Sequence, residues 1–290
     1  MSLPPYEVVA DGYDFIEAPR VSADGTVWFA DLTATGVYRK RPGYATELML
    51  PGRLWVGGIV FDDGGDVLCS GRGGIVALDP ATGTTRDVLT RIEGAPLVAV
   101  NDMEGDGRGG LFAGTIDFEA IFETGKKPSP GLFFHLSGDG EVTVLRRDVV
   151  ASNGIAASPC GTWLYHMETT RGIWRYPLLP SGLPGPGVLL VELEDGDGLT
   201  LDAAGNLWAA CWSTGRLLRF APDGTQTAEM RLPYPHVVSV AFGSADPDWL
   251  YVSTGGNADA PRSGAVLRIK VEGPGLPGPT TRLRMLCREP

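Results

Sequence analysis

Apolar residues along this chain come in short runs, and Gly, Asp and Pro cut the runs apart. No stretch of ten or more residues keeps the i, i+3, i+4 spacing of a helix face. The pattern predicts an all-β protein. The runs also repeat. A step of eleven residues leads from Glu17 to Trp28 in "TVWFAD", from Gly57 to Leu68 in "DVLCSG" and from Asn101 to Phe112 in "GLFAGT". The same step leads from Asn153 to Leu164 in "WLYHME", from Asp197 to Trp208 in "NLWAAC" and from Val238 to Trp249 in "DWLYVS". Each step crosses a turn such as "SADG", "DDGG" or "DAAG", which is a hairpin signal. A third strand follows each hairpin, as in "GVYRKR", "GIVALD" and "GIWRYP", and a more variable fourth run precedes the next repeat. Four strands per unit with a period of about 40–50 residues describe the blades of a propeller. The expectation is one six-bladed β-propeller domain over residues 1–290. The termini should share the last blade, with Tyr6–Ala10 and Arg282–Cys287 both joining it.

In a propeller the first strand of each blade lines the central channel, so the six starting residues form a ring at one mouth. The ring reads Glu17, Gly57, Asn101, Asn153, Asp197, Val238. Two carboxylates beside two amides on a crowded axis are costly unless something positive sits among them. The set is all oxygen, which suits a hard divalent cation such as Ca²⁺, with water completing the coordination. The ring holds no His or Cys, which argues against a typical zinc site. The competing reading is that these side chains only hydrogen-bond loop backbone.

Two residues before the ring come Phe15, Trp55, Ala99, Ala151, Asp195 and His236, and fifteen after it come Leu32, Arg72, Ile116, Glu168, Trp212 and Ser253. Both columns should approach the mouth, and their mixture of aromatic and polar residues suits a pocket above a bound ion. For Trp55, packing between blades competes with ligand contact. His236 belongs to the mouth, whereas His135 and His166 read as structural. No G-x-S-x-G elbow or Cys/His nucleophile pair appears, and the two "GRGG" stretches read as turns.

Charge narrows the partners. With 24 basic against 35 acidic residues the net charge is −11, so a nucleic-acid partner is not expected. The four cysteines, Cys69, Cys160, Cys211 and Cys287, are too scattered for a zinc knuckle or a disulfide framework. "MSLPPYEVVADG" lacks the basic and apolar regions of a signal peptide, and no apolar run has the length of a membrane span. These features lead us to expect a cytoplasmic protein, a monomer or weak homo-oligomer, with a small-molecule substrate and no membrane partner.

Four segments carry a resemblance that covers essentially the whole chain. They are "EAPRVSADGTVWFAD", "NDMEGDGRGGLFAGTIDFE", "SNGIAASPCGTWLYHMETT" and "GDGLTLDAAGNLWAACWSTGRLLRFAPDG". In this order they resemble the senescence marker protein, gluconolactonase and luciferin-regenerating-enzyme family of six-bladed propellers. The resemblance implies one divalent metal held by Glu17, Asn153 and Asp197, with Asn101 contacting substrate or a metal-bound water. It implies a sugar-binding role for Glu119. Three departures stand out: Ala18 replaces a usual Gly, Gly196 a usual Pro, and Ala99 an Arg common in sugar-lactone members. Without that Arg, and with Phe15, Trp55 and Trp212 facing the mouth, a substrate more apolar than a sugar lactone is expected.

The combined expectation is a metal-dependent lactone or cyclic-ester hydrolase. Ca²⁺ is the first choice, with Zn²⁺, Mn²⁺ or Mg²⁺ as alternatives. Asp197 would act as general base or orient the attacking water, and Asn101 would position water or carbonyl, while Glu17 and Asn153 hold the ion. Phe15, Trp55, Arg72, Glu119, Trp212 and His236 join Asn101 as substrate-contact candidates. The alternatives are a phosphotriesterase-like hydrolase, a metal-assisted isomerase or lyase, and a non-catalytic binding propeller.

Overall fold

The hairpin signals become four-stranded antiparallel blades in the structure, a computed structural model that describes residues 5–34 and 36–286. Blade one pairs Ile16–Val21, Val27–Asp31, Gly36–Lys40 and Glu47–Pro51 in chain order. Blade two pairs Ile59–Phe61, Val67–Cys69, Ile75–Leu78 and Thr85–Leu89. Blade three uses Ala99–Gly105, Leu111–Thr115, Gly131–Leu136 and Val142–Val149, and the short strand Gly71–Arg72 pairs with Ala99–Val100 as a fifth. Blade four uses Ser152–Ala157, Trp163–Glu168, Gly172–Pro177 and Val188–Glu192. Blade five uses Gly196–Leu201, Leu207–Cys211, Arg216–Phe220 and Gln226–Arg231. Blade six takes His236–Phe242, Trp249–Gly255 and Gly264–Lys270 and is completed by the N-terminal strand Tyr6–Tyr13. The six sheets form a six-bladed propeller.

Alternation along each strand gives a blade two apolar faces, and each face packs on the next blade. One apolar cluster, for example, joins Trp28, Ala30 and Val37 of blade one to Ile59, Val67 and Leu78 of blade two. Equivalent clusters fill the other five blade junctions.

Two expectations need correction. The tail Arg282–Leu286 does not join blade six. Thr281 bridges to Asp62 and Gly109, and Leu283 and Leu286 pack into the cluster between blades two and three. The outer position of blade six is already taken by Tyr6–Tyr13, and the apolar residues of the tail are buried between blades two and three instead. Cys287 lies outside the described residues.

The eleven-residue offset also fails in two blades. In blade one the residue three after the ring, Arg20, faces Trp28, eleven after it, and blades two, three and five match this. In blade four Ala156 instead faces Tyr165, and in blade six Ala241 faces Tyr251. The turns "ASPCGT" and "GSADPD" carry extra residues: the pairing slips by one residue in blade four, which changes the face a side chain meets, and by two in blade six, which keeps it.

Candidate metal and substrate site

The ring residues sit where the inner strands break their ladders. Register shifts span Glu17/Arg20, Val100/Met103, Ser152/Ile155, Gly196/Leu199 and Val237/Ser239. A bulge leaves residues unpaired and re-aims their side chains, which lets Glu17, Asn101, Asn153 and Asp197 turn into one cavity. In blade two no ladder forms at the ring, and the Gly57 and Gly58 amides donate to Ser70 Oγ at 3.2 and 2.8 Å. Gly57 is needed there, because a Cβ would lie 1.9 Å from Asn101 Oδ1. Beside Glu17, Ala18 takes a φ of 53°. That is the left-handed region, where glycine sits without steric cost.

The bulges bring Glu17, Asn101, Asn153 and Asp197 to the floor of one cavity of about 350 Å³. Asn101 Nδ2 donates to Ser152 O at 2.8 Å and to Asn153 Oδ1 at 2.6 Å. Asn153 Nδ2 donates to Thr169 Oγ1 at 2.7 Å, and that hydroxyl donates to Gly196 O at 2.6 Å. Both amides are therefore fixed. Asn101 Oδ1, in contrast, is buried with no partner. Glu17 and Asp197 are buried too, and neither forms an ion pair among the described residues.

Burial pushes the Glu17 and Asp197 carboxyls well above the usual carboxylate range. The Asp197 charge raises Glu17 further, and Asp102 raises both. Asp102 was not singled out in the sequence, because alternation after Asn101 sends it away from the axis. The blade-three bulge undoes that alternation. Burial lifts Asp102 to about 6, against the opposing pull of Arg20. Below it Glu104 is raised to about 7 by burial, although Arg20 pairs with it at 2.7 Å.

Acids crowded without a cation, next to an orphaned amide oxygen, form a donor set short of positive charge. Such a set suits a hard divalent ion with oxygen ligands. Among the described residues no three His, Cys, Asp or Glu side chains group tightly enough to hold a metal. Coordination would therefore draw on the amide oxygens and water.

The cavity wall is apolar: Phe15, Leu32, Ile116, Phe118, Ile121, Phe122 and Ala151, with Trp212 and Thr169. Phe118, Ile121 and Phe122 belong to a helical turn, Glu119–Thr124 with its cap, inserted between two strands of blade three. Their spacing is the signal that could have found them. Thr169, sixteen residues after Asn153, was missed because of the longer blade-four hairpin.

The other candidates lie apart from the cavity lining. Glu119 is exposed on the outer side of the helical turn. Arg72 lies over the Trp55 ring at 4.1 Å and pairs with Glu123. Trp55 is buried in the apolar cluster behind the wall, 5.9 Å from the Phe118 ring. His236 braces the wall from behind, with its ring 5.6 Å from Phe15 and 5.8 Å from Trp212, and its Nδ1 2.5 Å from Trp212 O. Glu168, placed at the mouth by counting, is fully buried and bound to Arg146 and the Trp174 indole.

Among the described residues no helix is long and apolar enough to cross a membrane. Comparison with known proteins adds the wider setting. Residues 15–256 match the model of the SMP-30/Gluconolactonase/LRE-like region. A 6-deoxy-6-sulfogluconolactonase of Pseudomonas putida is 32% identical over 287 residues, covering 91% of this chain and 96% of the relative. A regucalcin of Xenopus laevis is 28% identical over 90% of this chain and 92% of its own length. The crystal structure of a calcium-binding regucalcin from Agrobacterium tumefaciens superposes with a TM-score of 0.84 at 24% identity, over 98% of this chain and 100% of the other. The fold, the four motif segments and these matches agree, and the chain belongs to the SMP-30/gluconolactonase/LRE-like family, a family of lactonase-type hydrolases.

Proposed function

We propose that the protein is a divalent-metal-dependent lactonase whose substrates are more apolar than sugar lactones. One observation carries the reading: a floor of oxygen donors short of positive charge lies under a wall of aromatic and aliphatic side chains. Glu17, Asn153 and Asp197 would hold the ion. A hard divalent cation there would polarise the lactone carbonyl and stabilise the oxyanion of its attack by water.

The chain's own residues divide the remaining work. Both N–H bonds of Asn101 are committed to Ser152 O and Asn153 Oδ1, so only Oδ1 remains to act. An acceptor orients the attacking water through one of its hydrogens, and it cannot donate to the carbonyl. Asp197 takes a proton from that water at a carboxylate oxygen. Phe15, Phe118 and Trp212 exclude water around the ring and bury its carbon skeleton.

Three placements favour an apolar substrate. No Lys or Arg lines the cavity. Ala99 is buried where an Arg would reach in, and Arg72 is held against Trp55 and Glu123. A sulfonated sugar lactone would meet no Lys or Arg on this wall to offset its charge.

The test is a lactone panel with and without chelator. The expected result is chelator-sensitive hydrolysis with higher kcat/KM for a dihydrocoumarin than for gluconolactone, by roughly tenfold, the loss expected without a charge-assisted hydrogen bond. Metal-independent turnover would remove the ion from the reading. A clear preference for gluconolactone would remove the apolar wall and make Arg72 the next residue to change.

A further inference from the structure

A second hollow of about 810 Å³ opens beside the first, against blades four and five. The two hollows share a wall made by Thr169 and Trp212. Thr169 is fixed by its bonds to Asn153 and Gly196. Trp212 is 39% exposed, and its indole is stacked on the braced His236 ring. It therefore forms an aromatic ledge at the point where the hollows meet. The orphaned Asn101 Oδ1, buried at the floor of the first hollow, is a separate sign that a ligand enters beside this ledge.

The two hollows differ in chemistry. The first has an apolar wall. The second has Asp195 bound by Thr214 at 2.5 Å and by Arg216 at 3.2 Å, so those two charges offset one another. Glu192 and Glu194 also line it, are exposed, and form no ion pair among the described residues. The free charge of the second hollow is therefore negative, and its near edge is an aromatic face. An aromatic face beside unpaired carboxylates attracts a cation and repels an anion.

We propose that Trp212 is a specificity-determining ledge: the lactone ring occupies the first hollow, and a cationic, ammonium-bearing arm of the substrate crosses Trp212 into the second. This inference rests on the lactonase reading and adds the class of substituent. Arms carrying sulfonate or carboxylate are rejected.

The test uses four lactones with the same ring: unsubstituted, or with a hydroxyl, ammonium or sulfonate arm of equal length. KM and kcat are measured for each. Binding of the matching lactams, which resist hydrolysis, is measured by calorimetry. The wild type should bind the ammonium arm best and the sulfonate arm worst, with KM values spanning about tenfold at low salt and less at high salt. The Glu192→Gln, Glu194→Gln double variant should shrink that span to within about twofold and leave the unsubstituted lactone unchanged. Trp212→Ala should weaken the ammonium-armed compound more than the unsubstituted one. Equal KM values across the arms in the wild type, or an unchanged order in the double variant, would overturn the proposal. If no lactone is turned over, the lactonase reading fails, while the lactam affinities still decide whether the second hollow selects an ammonium arm.

Discussion

The two ends of the central channel treat buried acids differently. At the open mouth Glu17 and Asp197 face one another with no cation among the described residues, and Asn101 Oδ1 has no partner. At the far end the buried acids Glu104 and Asp62 each have partners. Arg20 reaches across from blade one to bond both Glu104 and the Met103 carbonyl. Asp62 accepts from the Thr281 hydroxyl at 2.9 Å and from the Leu283 amide at 3.0 Å, where the C-terminal segment crosses blade two. The backbone of the same segment also bonds Leu201 of blade five and Gly109 of blade three, so it straps that end shut. The difference teaches how to tell a structural acid from one kept for a ligand. Both are buried, and only the structural one has its charge answered by the fold.

The largest effect should come from breaking the matched end. Arg20→Ala leaves Glu104 buried without its partner, and the expected loss of stability is about 3 kcal/mol, measured by denaturant unfolding. Arg20→Ala, Glu104→Gln together should recover much of it. A stable single variant would mean that the far end is matched by something other than this pair.

A pH titration of chelator-treated protein probes both ends at once. Glu104 has a folded pKa raised from 4.5 to about 7, so the folded state binds more protons than the unfolded state between those values. Stability therefore falls as pH rises through that window, by about 1.4 kcal/mol for each unit of pKa difference. Glu17, Asp197 and Asp102 are shifted in the same direction and add to the fall. A divalent ion at the mouth should flatten the profile by favouring the ionised ring, leaving the Glu104 part. A Tm of the stripped protein that rises from pH 5 to pH 7 would contradict the shared direction of these shifts.

The smallest effect is expected at Ala18. Its φ of 53° costs roughly 1 kcal/mol relative to glycine, while its methyl is buried against blade two and contributes about 0.8 kcal/mol. Ala18→Gly should therefore change stability by less than about 1 kcal/mol and leave kcat/KM unchanged. A large loss of activity would mean that the methyl itself, and not the backbone turn, sets the position of Glu17.

These contrasts bear on what the sequence could reveal. The ring was legible because inner strands begin at equivalent points, and four oxygen-bearing residues at equivalent points have no common structural cause. Asp102 and Thr169 were hidden by local departures from regularity, a bulge in one case and a longer hairpin in the other. Phe118, Ile121 and Phe122 carry the i, i+3, i+4 spacing of a helix face, but a single turn is too short to stand out from the strand pattern around it. Glu119 came from resemblance alone, and the turn of the insert carries it outward. The C-terminal strap was misplaced because its apolar residues read as a strand, and only the structure shows Tyr6–Tyr13 filling the fourth position of blade six alone.

On the proposed function, the unanswered acids at the mouth hold a cation. Calorimetric titration of chelator-stripped protein with Ca²⁺ tests it most directly, on the wild type and on Asp197→Ala. The account predicts one ion bound per chain in the wild type and an affinity lower by roughly 100-fold or more in the variant, whose stripped form unfolds no earlier than stripped wild type. No binding by the wild type, or equal binding by both proteins, would contradict it.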